Sequence, residues 1–132
     1  MNNSSFIVVS SELSNISTIN TWLEENLFKL IKNKEKISTL SLVIQEAIVN
    51  AIIHGNKENK EKNVTLSYSL LDCNLHIKVE DEGSGIPKNT KTKENITAED
   101  LLKESGRGII LMKHFCKDVI FDKTSIELIM EL

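Results

Sequence analysis

The strongest constraint on the fold is a pair of neighbouring segments in which apolar and polar residues alternate. Residues 64–70 are apolar at every second position, and residues 75–80 repeat this pattern. A period of two is typical of a β-strand that buries only one of its faces. Residues 72–74 (DCN) separate the two segments and suit a tight hairpin turn. The chain therefore needs a second layer that covers one side of this hairpin.

Helical patterns on the N-terminal side of the hairpin can supply that layer. Apolar residues recur every three or four positions between residues 13 and 31, which predicts an amphipathic helix. A second helix is predicted from about Ser38, a suitable N-cap, to Gly55, a suitable left-handed C-cap. The short apolar run at residues 6–9 predicts a first strand.

The C-terminal half begins with a long segment that has little regular pattern. From Glu82 to about Gly108 the sequence predicts only a short helix, which begins at Thr97. A helix is predicted next over residues 108–116, followed by strands over residues 119–121 and 126–132. Helices followed by a mostly antiparallel sheet with one inserted helix indicate an α+β two-layer sandwich. Unstructured loops of about 25 residues in compact domains are often functional lids.

Composition and charge exclude several classes of protein. The 132 residues are about the size of one domain, and the net charge of −3 gives no basic footprint for nucleic acid. No apolar run approaches the roughly 18–20 residues that span a membrane, and the N-terminus lacks the features of a signal peptide. Cys73 and Cys116 lack metal-ligand spacing, and both are expected to be reduced. We therefore expect a cytoplasmic protein with a single domain over residues 1–132.

One face of the second predicted helix is polar, although the helix is otherwise rich in Ala, Ile and Val. Glu46, Asn50 and His54 are spaced four apart and therefore share that face. Magnesium prefers hard oxygen ligands and takes few of them from protein, and the amide oxygen of Asn50 can be one. Glu46, one turn earlier, can orient or deprotonate a hydroxyl nucleophile. We interpret His54 as a structural residue at the helix end.

A first glycine motif opens the long loop. The alternation of the preceding strand places Asp81 on the buried side, where a carboxylate needs hydrogen-bond donors. Gly83 and Gly85 follow it and allow the backbone to approach a ligand closely. A paired structural aspartate, or the start of a simple turn, is the alternative interpretation of Asp81.

A second glycine motif closes the loop. Gly106 and Gly108 precede a helix whose N-terminus can receive phosphate. Arg107 adds positive charge there, although a solvated arginine would explain it equally well. Neither GxxxxGKS/T nor GxGxxG occurs, which excludes the phosphate loop of the common NTPases and the dinucleotide fingerprint.

Three motifs in order, EAIVNAIIHGN, DEGSGIP and SGRGIILM, resemble the N, G1 and G2 boxes of the histidine-kinase-like ATPase superfamily. Within it, the chain looks most similar to the bacterial anti-sigma factor serine-protein kinases and related anti-sigma regulatory factors. The resemblance runs from about residue 40 to residue 132, with the N-terminal strand and helix also in place. It implies a two-layer α/β sandwich of the Bergerat type, a mixed, mostly antiparallel sheet with helices on one face.

The resemblance also implies roles for individual residues. Asn50 would hold Mg²⁺ against the ATP phosphates, and Glu46 would be the catalytic base or position the nucleophile. Asp81 would accept a hydrogen bond from the adenine amino group. The other ATP-binding positions would lie at the adenine loop, at the junction of lid and triphosphate, or near adenine in the last strand: Gly83, Gly85, Ile86, Gly106, Arg107, Gly108 and Thr124.

One position of the chain departs from the family pattern, and one segment contains no family motif. Lys123 stands where the family usually has a glycine before the threonine. The lid, about residues 86–107, contains no motif between Lys88 and Glu104 that can be carried over by position.

The resemblance implies an ATP-dependent kinase that phosphorylates a serine of an anti-sigma-factor antagonist and also sequesters a sigma factor. The alternative is a nucleotide-binding partner-switch regulator that binds protein partners without phosphorylating them. The cofactors implied are ATP and Mg²⁺, and a homodimer is expected by resemblance alone. No direct contact with nucleic acid or membrane is expected.

Overall fold

A five-stranded antiparallel sheet carries the fold in the computed structural model, which describes residues 3–83 and 108–132. In spatial order the strands run β1, β2, β3, β5, β4, and all four pairings are antiparallel. This confirms the α+β fold class. The strands span β1 (Ser4–Ser10), β2 (Asn63–Leu71), β3 (Asn74–Glu80), β4 (Asp118–Phe121) and β5 (Ser125–Glu131).

The hairpin between β2 and β3 has the predicted position and a two-residue loop. Leu71 pairs with Asn74, so that only Asp72 and Cys73 lie between the strands. Asp72 has a φ of 57°, a backbone conformation that aspartate tolerates better than most residues. The two alternating segments therefore bury the same face of the sheet.

The first predicted helix is interrupted. Its α-helical part, α1 (Ile16–Glu25), is flanked by 3₁₀ turns at Leu13–Asn15 and Phe28–Leu30. Asn26 ends α1, and its Nδ2 donates to the carbonyl of Trp22 at 2.8 Å. A side-chain bond of this kind competes with the helical pattern, which explains why α1 ends at Asn26 although the amphipathic stretch continues.

The second helix, α2 (Lys34–Asn50), begins earlier than the sequence predicts. Asn33 is its N-cap, and the Asn33 Oδ1 accepts hydrogen bonds from the backbone N–H groups of Glu35 at 2.9 Å and Lys36 at 3.3 Å. The prediction that Ser38 caps this helix is therefore wrong. The segment between these residues contains good helix formers, so the earlier and stronger cap sets the boundary.

A five-residue π-helical turn, Ala51–Gly55, continues α2. The backbone N–H of Asn56 closes it by donating to the carbonyl of Ala51 at 2.8 Å. Gly55 does not have a left-handed φ, whereas Lys57 and Glu58 do, at 53° and 57°. The prediction of a left-handed cap at Gly55 is therefore wrong. A glycine is needed at this position for a different reason, given below.

The core lies between one face of the sheet and the helices. Strands β2 and β3 bury alternate residues, as predicted: Val64, Leu66 and Tyr68, then Leu75, Ile77 and Val79. Helix α2 adds Leu40, Val43, Ile44, Ala47 and Ile48, and α3 (Gly108–Phe115) adds Met112. The opposite face of the sheet carries exposed side chains, including Phe6, which is 66% exposed. The helices are therefore on one face.

The length and composition of the helix Lys34–Gly55 disagree with the expectation that no apolar run could span a membrane. By length and composition alone this helix could cross one. Its buried side lies in the core of the domain, and core helices pass the same criterion. It is therefore weak evidence for a membrane span.

Candidate functional site

The polar stripe of the second helix is divided by the π-helical turn. Glu46 and Asn50 lie on consecutive turns of α2 and are both half-buried. His54 lies within the π turn, after the change in helical spacing, and is exposed. Residues one α-helical turn apart are neighbours, so Glu46 and Asn50 lie next to each other on a half-buried face of α2. His54 differs from them in its exposure to solvent.

Asn50 has an unusual environment. Its Nδ2 is buried and makes no hydrogen bond to the parts of the chain that the structure describes. A buried amide atom without a partner is costly. The two ends of an amide exchange by a half-turn, so the oxygen of Asn50 can occupy the same buried position. This residue is therefore a candidate for a ligand contact.

Asp81 directly follows β3 and is half-buried, in agreement with the strand's alternation. Its backbone N–H donates to the carbonyl of Thr124 at 2.8 Å. Its Oδ1 accepts from the backbone N–H of Gly83, also at 2.8 Å. The structure thus brings together Asp81, Gly83 and Thr124, which the sequence placed in one site. This contact forms although Lys123 stands where the family usually has a glycine.

Burial raises the pKa of the Asp81 carboxyl group. The hydrogen bond from Gly83 and the positive charge of Lys62 act in the opposite direction and compensate only in part. A carboxylate in this position is incompletely solvated, so an additional hydrogen-bond donor would stabilise its charged form.

The reason for Gly55 lies in its distance from Asp81. A Cβ atom at Gly55 would lie 2.2 Å from the Asp81 Oδ2 and 2.4 Å from its Cγ. A Cβ atom at Gly83 would lie 2.1 Å from the carbonyl oxygen of Gly55. These two glycines therefore allow the end of the π turn to lie directly against the Asp81 loop.

Sequence reasoning missed this role of Gly55. It also missed Asn56, which follows Gly55 and is only 2% exposed. In the sequence, Asn56 lies between a polar helix face and a charged loop, a position in which asparagine is a common turn residue. The sequence pattern therefore does not indicate its role. Burial, which the local sequence does not reveal, distinguishes it.

Several predicted site residues fall outside the described residues. Gly85, Ile86, Gly106 and Arg107 do so, as do the predicted helix at Thr97 and the segment from Lys88 to Glu104. Gly108 is the first residue of α3, as the predicted helix 108–116 requires.

A cavity of about 550 Å³ lies elsewhere, between the end of α1 and the start of α2. None of the predicted site residues lines it. Its lining contains one carboxylate and one ammonium group among apolar and hydroxyl side chains: Glu24, Phe28, Lys29, Ile37, Ser38 and Ser41.

Comparison with known protein families gives one matching domain. Residues 9–132 match the family described as "Histidine kinase-like ATPase domain". This range contains Glu46, Asn50, Asp81 and Thr124.

Individual relatives show the same similarity. The chain is 30% identical to the anti-sigma F factor of Bacillus subtilis over 125 residues, which are 94% of this chain and 86% of that protein. It is 32% identical to the anti-sigma F factor of Bacillus licheniformis over 91 residues, 68% of this chain. That second match spans 62% of the relative, less than two thirds of its length. The anti-sigma F factor of Geobacillus stearothermophilus is 28% identical over 123 residues, 92% of this chain and 84% of that protein.

Proposed function

Because the chain belongs to the histidine kinase-like ATPase domain family, we propose that it is an ATP-dependent serine-protein kinase that also acts as an anti-sigma factor. The family implies that the chain binds a nucleotide. The similarity to proteins named anti-sigma F factor supports a regulatory role in transcription. The substrate is a serine of an anti-sigma-factor antagonist, and the second partner is a sigma factor. The protein acts in the cytoplasm as a single domain over residues 1–132, as a homodimer.

The observation that carries this proposal is the environment of Asp81. Its carboxylate is half-buried, receives one hydrogen bond from Gly83, and faces Gly55, which has no side chain to cover it. A purine with an exocyclic amino group can donate a further hydrogen bond to this carboxylate. The carbonyl of Thr124 accepts a hydrogen bond from the backbone N–H of Asp81, and the Thr124 hydroxyl would contact the same base. Adenine satisfies this donor and acceptor arrangement.

Asn50 fits the requirement for a magnesium ligand. The Nδ2 position of its amide is buried and lacks a partner among the described residues, and its oxygen is a hard, neutral ligand. In the described part of the chain, no group of three or more His, Cys, Asp or Glu side chains could hold a metal without a nucleotide. Bound Mg²⁺ would neutralise charge on the phosphates of ATP. Asn50 would supply one ligand, and phosphate oxygens and water the others.

Glu46 lies one helical turn from Asn50 and therefore beside the phosphates that Asn50 would help to hold. There its carboxylate would accept a hydrogen bond from the substrate serine hydroxyl and orient it for attack. Gly106, Arg107 and Gly108 would contact the triphosphate. Gly83, Gly85 and Ile86 would form the loop on the adenine side, where the lid (about residues 86–107) begins.

The test is transfer of the γ-phosphoryl group from labelled ATP to a purified anti-sigma-factor antagonist. We expect transfer by the native protein and a loss of about 100-fold or more in Glu46→Gln, with ATP affinity changed less than about threefold. Glu35→Gln, in the exposed first turn of the same helix, is the matched control and should retain transfer. Asp81→Asn should lose most ATP binding.

Two results would contradict the proposal in different ways. If the native protein binds ATP and the antagonist tightly but transfers no phosphate, the kinase assignment is wrong and the non-enzymatic partner-switch regulator replaces it. If Asp81→Asn binds ATP with unchanged affinity in isothermal titration, the adenine assignment of Asp81 is wrong.

A further inference from the structure

Ser11 and Asn56 are the two buried polar residues in the part of the chain that the structure describes. Ser11 lies directly after β1, and Asn56 directly after the π-helical turn. They are hydrogen-bonded to each other, the Asn56 Nδ2 donating to the Ser11 Oγ at 2.7 Å. A buried polar pair of this kind links elements that are distant in sequence.

The Asn56 amide forms three hydrogen bonds, one to each of three segments. Besides Ser11, its Nδ2 donates to the carbonyl of Asn63 at 2.9 Å, at the start of β2. Its Oδ1 accepts from the backbone N–H of Glu82 at 2.7 Å. Glu82 is the residue between Asp81 and Gly83. The amide therefore connects the end of the helix to the loop that carries the Asp81 carboxylate.

The backbone of this loop is fixed at successive N–H groups. Asp81 donates to Thr124, Glu82 donates to Asn56, and Gly83 donates to the carboxylate of Asp81 itself. The first bond continues the pairing of the strands, and the third is internal to the loop. Among these three N–H groups, the one of Glu82 is bonded to the helix end, through Asn56. The Glu82 side chain also accepts from the backbone N–H of Asn63, which ties the loop to the start of β2 and leaves the direction of the Glu82 N–H to Asn56. The bond to Asn56 therefore fixes the peptide plane that follows Asp81.

The contacts at Gly55 and Gly83 leave little space between the Asp81 loop and the helix end. Gly55, adjacent to Asn56, lies against the carboxylate of Asp81, and Gly83 lies against the carbonyl of Gly55. A small rotation of the loop would move the carboxylate either into the π turn or away from it. The Asn56 bond holds the loop at the separation that these contacts require.

We propose that Asn56 is a positioning residue for adenine recognition, acting through Asp81 by holding the Glu82 backbone N–H. This inference rests on the proposed function, because it assumes that Asp81 receives the adenine amino group. Asn56 does not itself touch the base. Its removal leaves the Glu82 N–H without this partner, so the peptide after Asp81 can rotate and the carboxylate can leave the orientation in which it accepts that hydrogen bond.

The experiment compares ATP and GTP binding by isothermal titration. Guanine presents a carbonyl oxygen where adenine presents its amino group, so a positioned Asp81 should favour ATP. Asn56→Ala should weaken ATP binding by about ten- to a hundredfold and leave GTP binding within about threefold, because phosphate contacts remain. General damage to the domain would instead weaken both nucleotides alike.

Ser11→Ala is the matched control. It removes a buried partner of the same network but leaves the bond between Asn56 and Glu82 in place. It should therefore lower stability while preserving the preference for ATP. In an Asp81→Asn background, Asn56→Ala should cause no further loss of ATP affinity, because the two substitutions remove the same interaction.

Four outcomes decide the matter. A native protein that does not prefer ATP overturns both the proposed function and this inference. A native preference that Asp81→Asn abolishes but Asn56→Ala retains overturns the inference alone. Equal losses of ATP and GTP affinity, or additive losses in the double variant, also overturn the inference.

If Asn56→Ala does not fold, Asn56→Ser in a stabilising osmolyte replaces it, since serine is too short to reach Glu82. The same loss of ATP preference is expected.

Discussion

Replacing Gly55 by alanine separates two explanations of this residue. If Gly55 were only a helix cap, the substitution would affect the helix end and nothing else. In the structure, the added Cβ would lie 2.2 Å from the Asp81 Oδ2, where ordinary contacts begin at 3.4 Å. The carboxylate must therefore retreat by roughly 1 Å.

The size of the effect follows from the bonds that this retreat disturbs. Loss of the hydrogen bond from the Gly83 N–H to a charged carboxylate costs about 1.5–3 kcal/mol. Alanine recovers up to about 1 kcal/mol, because Gly55 has no left-handed φ and alanine prefers helix. The net loss in the free energy of unfolding is about 0.5–3 kcal/mol. A domain stabilised by about 5–15 kcal/mol stays folded.

Nucleotide binding should respond more strongly than stability. If the displaced carboxylate no longer accepts the adenine amino group, one charge-assisted hydrogen bond is lost. This corresponds to a roughly 10- to 150-fold weaker affinity for ATP. Urea denaturation without nucleotide and isothermal titration with ATP measure the two effects separately.

A double-mutant cycle with Asp81→Ala provides the control. Without the carboxylate there is no clash, so Gly55→Ala should then stabilise the protein by up to about 1 kcal/mol and leave the residual ATP affinity unchanged. The reasoning is refuted if Gly55→Ala costs the same stability in both backgrounds, or if it binds ATP as tightly as the native protein.

Three further predictions concern other parts of the fold. Asn33→Ala should lower the free energy of unfolding by about 1 kcal/mol in urea, while Ser38→Ala, inside the helix, should cost less than half as much; equal costs would contradict the boundary. Without nucleotide, Asp81→Asn should be more stable than the native protein at neutral pH. Burial raises the pKa of this carboxyl in the folded state, so protonation of Asp81 favours folding. The stability gained from protonation is fully present below the pKa of the unfolded state and is lost as the pH rises through the pKa of the folded state. Thermal denaturation from pH 4 to 8 should show the variant's advantage shrinking as pH falls, and an advantage that grows would refute the assigned direction. A thiol reagent should modify exposed Cys73 first, while Cys116, buried and with its pKa raised to about 11, reacts only in denaturant, as mass spectrometry would show.

The strands could be predicted because their signal is local and periodic. Alternation identifies both the hairpin and its buried face without knowledge of any neighbour, and the observed register agrees with it. Helix boundaries depend instead on competition between nearby groups. Asn33 and Ser38 both have cap chemistry, and the choice between them depends on which backbone N–H groups are left unpaired.

The interruption of the first helix has the same origin. Asn26 offers its own side chain to the carbonyl of Trp22, and the periodic pattern of apolar residues continues past it unchanged. A pattern that records only which residues are buried cannot reveal that the backbone between them changes its hydrogen bonding. The π-helical turn after Asn50 was missed for this reason as well.

The candidate site shows where local reasoning ends. Asp81 could be placed on the buried side by counting along β3, but its neighbours come from a helix end 26 residues earlier, as the bond between Glu82 and Asn56 illustrates. Local rules explain Gly55 as a cap and Gly83 as a flexible loop residue. In the structure both have a single cause, because the Gly55 position faces the Asp81 carboxylate and the Gly83 position faces the Gly55 carbonyl. The three residues therefore form one unit, and a side chain added at either glycine should impair the same carboxylate.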